Sequence, residues 1–176
     1  MRRAVCLFLA LALWLSLGCP QNQPTMPTET ASSTADTELL STVNVADPRA
    51  SEQLVDGFYW LEQSSWRWTS KRFAVSLPTP PKIPGHPAVL GLRFTIPDVV
   101  TDTLGPITLT ARVNGHEVTA QRWEQPGMRL LMSVEVPDDV LTEDPTRVEF
   151  ELDKALDERT SFKYELGIVV LSVSLK

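Results

Sequence analysis

The sequence predicts an all-β fold, an antiparallel sandwich of the jelly-roll kind with about seven to nine strands. Three observations carry this. Fourteen prolines and eight glycines are scattered through the 176 residues, which disfavours a bundle or coiled coil. Apolar residues in the second two thirds of the chain recur with a period of two, the pattern of half-buried strands. Turn-forming pairs and proline-rich connections separate those runs at intervals of roughly ten to fifteen residues. The length suits one domain with appendages.

Residues 1–18 begin Met1-Arg2-Arg3 and continue without a charge to Gly18. A positive start, a short apolar stretch and a small residue form the layout of an export signal. The apolar stretch of about 15 residues is shorter than a spanning helix needs. Leu15-Ser16-Leu17-Gly18-Cys19 resembles a bacterial lipobox, in which cleavage before the cysteine frees it for acylation. The resemblance implies lipidation at Cys19, a membrane anchor and a place in the cell envelope, facing the periplasm or the exterior. Cys6 departs with the signal, leaving Cys19 without a disulfide partner. Several acyl chains at about 0.8 kcal/mol per buried CH₂ hold a protein far more firmly than one.

Residues 19–50 read as the lipidated cysteine and a tether. From Pro20 to about Val45 the chain has no aromatic and no Lys or Arg, and such composition cannot bury enough surface to offset its ordering entropy. The folded domain is expected over 51–176. Loss of Arg2 and Arg3 takes the formal net charge from −6 to −8. That argues against a nucleic-acid partner, because no basic surface remains to neutralise phosphates.

Within the domain, Phe73, Val75 and Leu77 point inward and Ala74 and Ser76 outward. Four prolines across Thr79 to Pro87 mark a loop. Inward sets follow at Leu90/Leu92/Phe94/Ile96 and Ile107/Leu109/Ala111/Val113. Asn114-Gly115 then predicts a two-residue hairpin, because a type I′ turn needs positive φ at both central residues. Its register places Arg112 opposite Glu117 and Ala111 opposite Val118, which puts Trp123 on the outer face. Later inward sets are Leu130/Met132/Val134/Val136, Val148/Phe150/Leu152 and Val169/Leu171/Val173/Leu175. Pro137 to Leu141 reads as one short helical turn with Asp138 as its cap.

Gly57-Phe58-Tyr59, Glu62, Trp66-Arg67-Trp68-Thr69 and Glu165-Leu166-Gly167 resemble the β-sandwich accessory domains of bacterial glycosyltransferases and surface-polysaccharide proteins, over about residues 55–176. The resemblance implies a carbohydrate-binding, galactose-binding-like fold and carries no settled binding residues. Where those domains often have Asp and Arg before Leu-Gly, this chain has Phe162, Lys163 and Tyr164.

No nucleophile elbow, phosphate loop, dinucleotide fingerprint or paired-cysteine metal site occurs in the sequence, so no catalytic residue, metal or cofactor is assigned. His86 and His116 read as loop and turn residues. Asp138, Asp139, Glu143 and Asp144 lack the spacing and glycine of a calcium loop. The candidate ligand residues are Tyr59, Trp60, Glu62, Trp66, Arg67, Trp68 and Trp123. Indole faces stack on sugar C–H faces, and charged groups fix hydroxyls. The packing alternative has Trp66 and Trp68 cap the core while Arg67 pairs with Glu62. The expected function is non-catalytic binding of a glycan or an envelope protein. The alternatives are a hydrolase of cell-wall or surface polysaccharide and a structural lipoprotein of a polysaccharide-export system.

Overall fold

A computed structural model describes residues 38–160 and 162–176. The signal segment 1–18, Cys19 and the tether as far as residue 37 lie outside the described residues. The chain forms strands β1 (Thr42–Asn44), β2 (Leu54–Glu62), β3 (Trp66–Leu77) and β4 (Ala88–Ile96), a helix α1 (Asp98–Leu104), then β5 (Ile107–Val113), β6 (His116–Trp123), β7 (Gly127–Val136), β8 (Thr146–Leu152) and β9 (Val169–Leu175). The nine strands are antiparallel, in the order β6-β5-β8-β3-β9-β4-β7, with β1 added to β9 and β2 to β3. The result is an all-β antiparallel sandwich.

β3 is the corner of the sandwich. Its first part pairs with β9, Arg67 with Val170 and Trp68 with Val169. Its last part, Arg72 to Leu77, pairs with β8. Between them Thr69 is fully buried. Its N–H and hydroxyl donate to the Ile168 carbonyl at 2.9 and 3.1 Å, and its carbonyl accepts from Gly167 N at 2.7 Å. A Cβ on Gly167 would lie 2.6 Å from the Ser70 carbonyl oxygen, so the corner closes only around a residue without one.

The inward sets fill the space between the two halves. Phe73 stacks on Phe150 with centroids 4.9 Å apart, and Leu90, Leu92, Phe94, Ile107, Leu109, Ala111 and Val113 are fully buried. At about 25 cal/mol per Å² this apolar surface is the main source of stability. Asn114 (φ 47°) and Gly115 (φ 81°) form the expected tight turn. The Asn114 side chain also donates to the Val140 carbonyl and accepts from Arg147 N, tying the turn to β8.

Five expectations are corrected. The folded part begins before Ser51: β1 pairs with β9, and Val43 and Val45 are buried. Apolar residues at alternate positions suffice for a three-residue strand, too short for a periodicity to register. Second, Pro137 to Leu141 forms a turn closed by Val140 N and the Pro137 carbonyl at 3.2 Å, while the helix lies at α1. Four β-branched residues hide that helix from propensity. Its signals are at its ends, Pro97 at the N-cap and Gly105 (φ 69°) just past Leu104. Third, an irregularity in the β4–β9 ladder pairs Phe94 with Val170 and Arg93 with Ser172. It turns Val170 into the core in place of Leu171, which is half-buried. The fourth and fifth concern Arg67 and Trp123 and are given with the site.

Candidate functional site

β2 and β3 form a hairpin whose turn passes through Gln63 (φ 46°) and Ser64 (φ 53°). Glu62 stands opposite Trp66 and Leu61 opposite Arg67. Side chains alternate along a strand, so Trp60, Glu62, Trp66 and Trp68 share one face and Arg67 takes the other. The Trp60 indole N–H donates to the Glu62 carboxylate. Trp66 and Trp68 meet edge to face at 6.5 Å, both half-buried, and Trp68 also packs against core residues.

The expected Arg67–Glu62 pair is absent because the register sets the two side chains on opposite faces. Arg67 Nε donates to the Val45 carbonyl at 3.0 Å and Nη1 to the Tyr59 carbonyl at 2.8 Å. The guanidinium therefore binds the end of β1 to β2 and holds the hairpin base.

Trp60 is 59% exposed. Tyr59 and Tyr164 lie edge-on to it at 5.8 and 6.0 Å, and the Lys163 ammonium sits 5.1 Å from the Tyr164 ring centroid. Tyr59 donates to the Glu165 carbonyl at 2.5 Å, while the Glu165 carboxylate accepts from Lys71 N at 2.9 Å. These two bonds fasten the segment bearing Tyr164 to the hairpin. Burial, and then the Glu165 charge, push the Tyr59 phenol above its ordinary value. Tyr59 therefore stays a neutral donor. The sequence named Lys163 and Tyr164 only as a departure from the resembled domains, and here they complete the aromatic group. More than a hundred residues separate them from Trp60, a distance that no local pattern bridges.

Trp123 is not on the outer face. Arg112 pairs with Glu117 as expected, but the next pair is Ala111 with Thr119. The extra residue, Val118, is a β-bulge that reverses the parity of the rest of β6. Trp123 thus faces Ile107, packs edge-on against Phe94 at 5.3 Å and joins the core. The candidate ligand group loses that member.

The other charged residues lie apart from this group. His86, His116, Asp138, Asp139, Glu143 and Asp144 are exposed, and among the described residues no three His, Cys, Asp or Glu side chains are placed to share a metal ion. A polar concavity of about 240 Å³ lies over β3, β8 and β5. There Glu151 accepts from Arg72 and Arg112 at 2.7 and 2.9 Å, and these hydrogen bonds hold its carboxyl below its ordinary range.

No family model matches the chain, and no curated protein sequence is similar to it. Among solved structures it is similar to dimeric latent PorU from Porphyromonas gingivalis, at 8% identity and TM-score 0.40, over 60% of this chain and 10% of that one. It is also similar to Xylanase10C from Cellvibrio japonicus in complex with xylopentaose, at 10% identity and TM-score 0.30, over 69% of this chain and 23% of that one. The chain thus spans well under two thirds of either protein, and neither likeness is close enough to bear on function.

Proposed function

We propose that this protein is a non-catalytic, envelope-tethered module that binds a glycan on the β2–β3 hairpin. The observation that carries the reading is Trp60, more than half exposed on a strand face it shares with Trp66 and Trp68. A large aromatic side chain left in water forgoes a substantial burial gain. A sugar C–H face recovers it, while the second oxygen of Glu62 and the Lys163 ammonium supply an acceptor and a donor for hydroxyls. Acylation at Cys19 would hold the domain at a membrane, and residues 20–37 would separate the two.

A glycan array probed with the full-length protein in detergent tests the ligand, with Trp60→Ala as the control. The expected result is a restricted set of glycans bound by the parent and lost in the variant. Binding that survives Trp60→Ala removes the hairpin from the site, and a parent that binds no glycan favours a protein partner at a strand edge. The anchor is tested separately. Cys19→Ser should move the protein from the membrane to the soluble envelope fraction, and mass spectrometry of the parent should show an acylated Cys19.

A further inference from the structure

The face bearing Trp60, Trp66 and Trp68 continues past β3. Trp68 stands opposite Val169, and Val169 opposite Thr95 on β4. Arg93 and Gly91 precede Thr95 by two and four residues, so they share its side. The irregularity at Val170-Leu171 leaves Ser172 opposite Arg93 and Ser174 opposite Gly91, which keeps both serines on that side too. Thr42 of β1 flanks Ser174, while Ser133 and Leu131 of β7 flank Gly91 and Arg93.

Beyond Thr95 on this face, Gly91, Arg93, Leu131 and the hydroxyls of Thr42, Ser133, Ser172 and Ser174 line a trough of about 360 Å³. It runs roughly 13 Å along β4 between Arg93 and Val89, at the rise of an extended strand. Gly91 forms its floor: a Cβ there would come within 2.8 Å of the Ser174 hydroxyl. None of the hydroxyls of Thr42, Ser133, Ser172 and Ser174 bonds another described residue, whereas Ser51, Ser65, Ser70 and Thr79 all bond backbone carbonyls.

Charge gives the trough its sign. Of the nine described arginines, seven are held by carboxylates or carbonyls. Arg93 and Arg129 make no such bond among the described residues. Arg93 lines the trough beside the exposed apolar wall of Leu131, and Lys176 lines the same trough near Val89. The acid closest by register is Glu135, opposite Val89 and two residues of β4 beyond Gly91. In a chain of net charge −6, an unpaired guanidinium among unpaired hydroxyls and an apolar wall is suited to a chain of pyranose rings bearing carboxylates.

We infer that the trough is a second subsite, on the same sheet face as the aromatic hairpin and selective for an acidic, uronate-bearing glycan. This rests on the glycan-binding reading above and names its ligand class. Arg93 supplies charge-assisted hydrogen bonds to a carboxylate, the serine and threonine hydroxyls meet ring hydroxyls, and Leu131 lies against a ring face.

Calorimetric titration of the full-length protein with oligogalacturonate and alginate oligomers, each beside its methyl ester, tests the inference. The parent should bind one of the acidic oligomers about tenfold more tightly than its uncharged ester, as expected for one charge-assisted contact, and that margin should shrink with salt. Arg93→Gln should erase the margin and Arg93→Lys should keep part of it. Trp60→Ala should weaken acid and ester alike. Equal binding of acid and ester by the parent, or an unchanged margin in Arg93→Gln, overturns the inference. If the array finds a neutral glycan lost in Trp60→Ala while no uronate binds, this inference falls and the hairpin site stands. If the array finds no glycan either, both fall.

Discussion

Trp123 holds the one buried side-chain nitrogen without a hydrogen-bond partner among the described residues. Its ring fills space beside Phe94, but its N–H meets no acceptor, and an orphaned buried donor costs about 1–3 kcal/mol. Trp123→Phe keeps the ring contact and removes the donor, so it should be neutral or raise stability by about 1 kcal/mol. Trp123→Ala should lose about 3 kcal/mol through the cavity it opens. Urea unfolding of both variants decides the matter, and equal losses would place the indole N–H in a bond. Glu151 makes the second prediction at this scale. Hydrogen bonds from Arg72 and then Arg112 lower its folded value below the ordinary 4.5. Its contribution is therefore whole above that value and is lost as pH falls through the lower folded one. Glu151 is partly exposed, so the contribution is small. Glu151→Gln should flatten the acid side of the stability curve and leave its shape above pH 5 unchanged, as thermal melts across pH would show.

Two glycines separate the effects of backbone conformation and space within the elements. Gly57 (φ 72°) lies where a Cβ would come within 1.9 Å of the Arg72 carbonyl oxygen, whereas a Cβ on Gly115 (φ 81°) meets nothing within 4 Å. Gly57→Ala should therefore cost more than about 3 kcal/mol, since backbone has to move as well as adopt a strained φ. Gly115→Val carries the conformational term alone, about 1–3 kcal/mol. Denaturant titration compares them, and a smaller loss at Gly57 would contradict the close approach of β2 to β3. The turn at Asn114-Gly115 was legible because those two residues tolerate positive φ. The turn at Gln63-Ser64 was not, since neither residue marks that conformation. The aromatic hairpin was therefore readable as a cluster in which Trp66 and Trp68 share a face, while the register that brings Trp60 and Glu62 to that face was not.

The domain boundary is a property of the whole molecule. β1 covers one edge of β9 and places Val43 and Val45 in the core, so deleting residues 38–45 should lower the melting temperature by several degrees or prevent folding. A tether running to residue 50 would instead make that deletion silent in a thermal melt. The same long-range pairing unites the hairpin with the trough, because β3 meets β9 only after the chain has passed through five further strands.

From its own pattern the sequence determined the all-β class, the inward set of most strands and the tight turn after β5. Each depends on alternation or on the φ preference of one or two residues, which local chemistry enforces. The tertiary structure alone decided where facing departs from the simple alternation of a strand. The bulge at Val118 inverted Trp123, the irregularity at Val170-Leu171 kept Ser172 and Ser174 beside Arg93, and the β2–β3 register parted Arg67 from Glu62. A bulge adds one residue to a strand without requiring any particular side chain, yet it reverses every side chain after it. Facing in this protein is thus settled by the packing of strands distant in sequence.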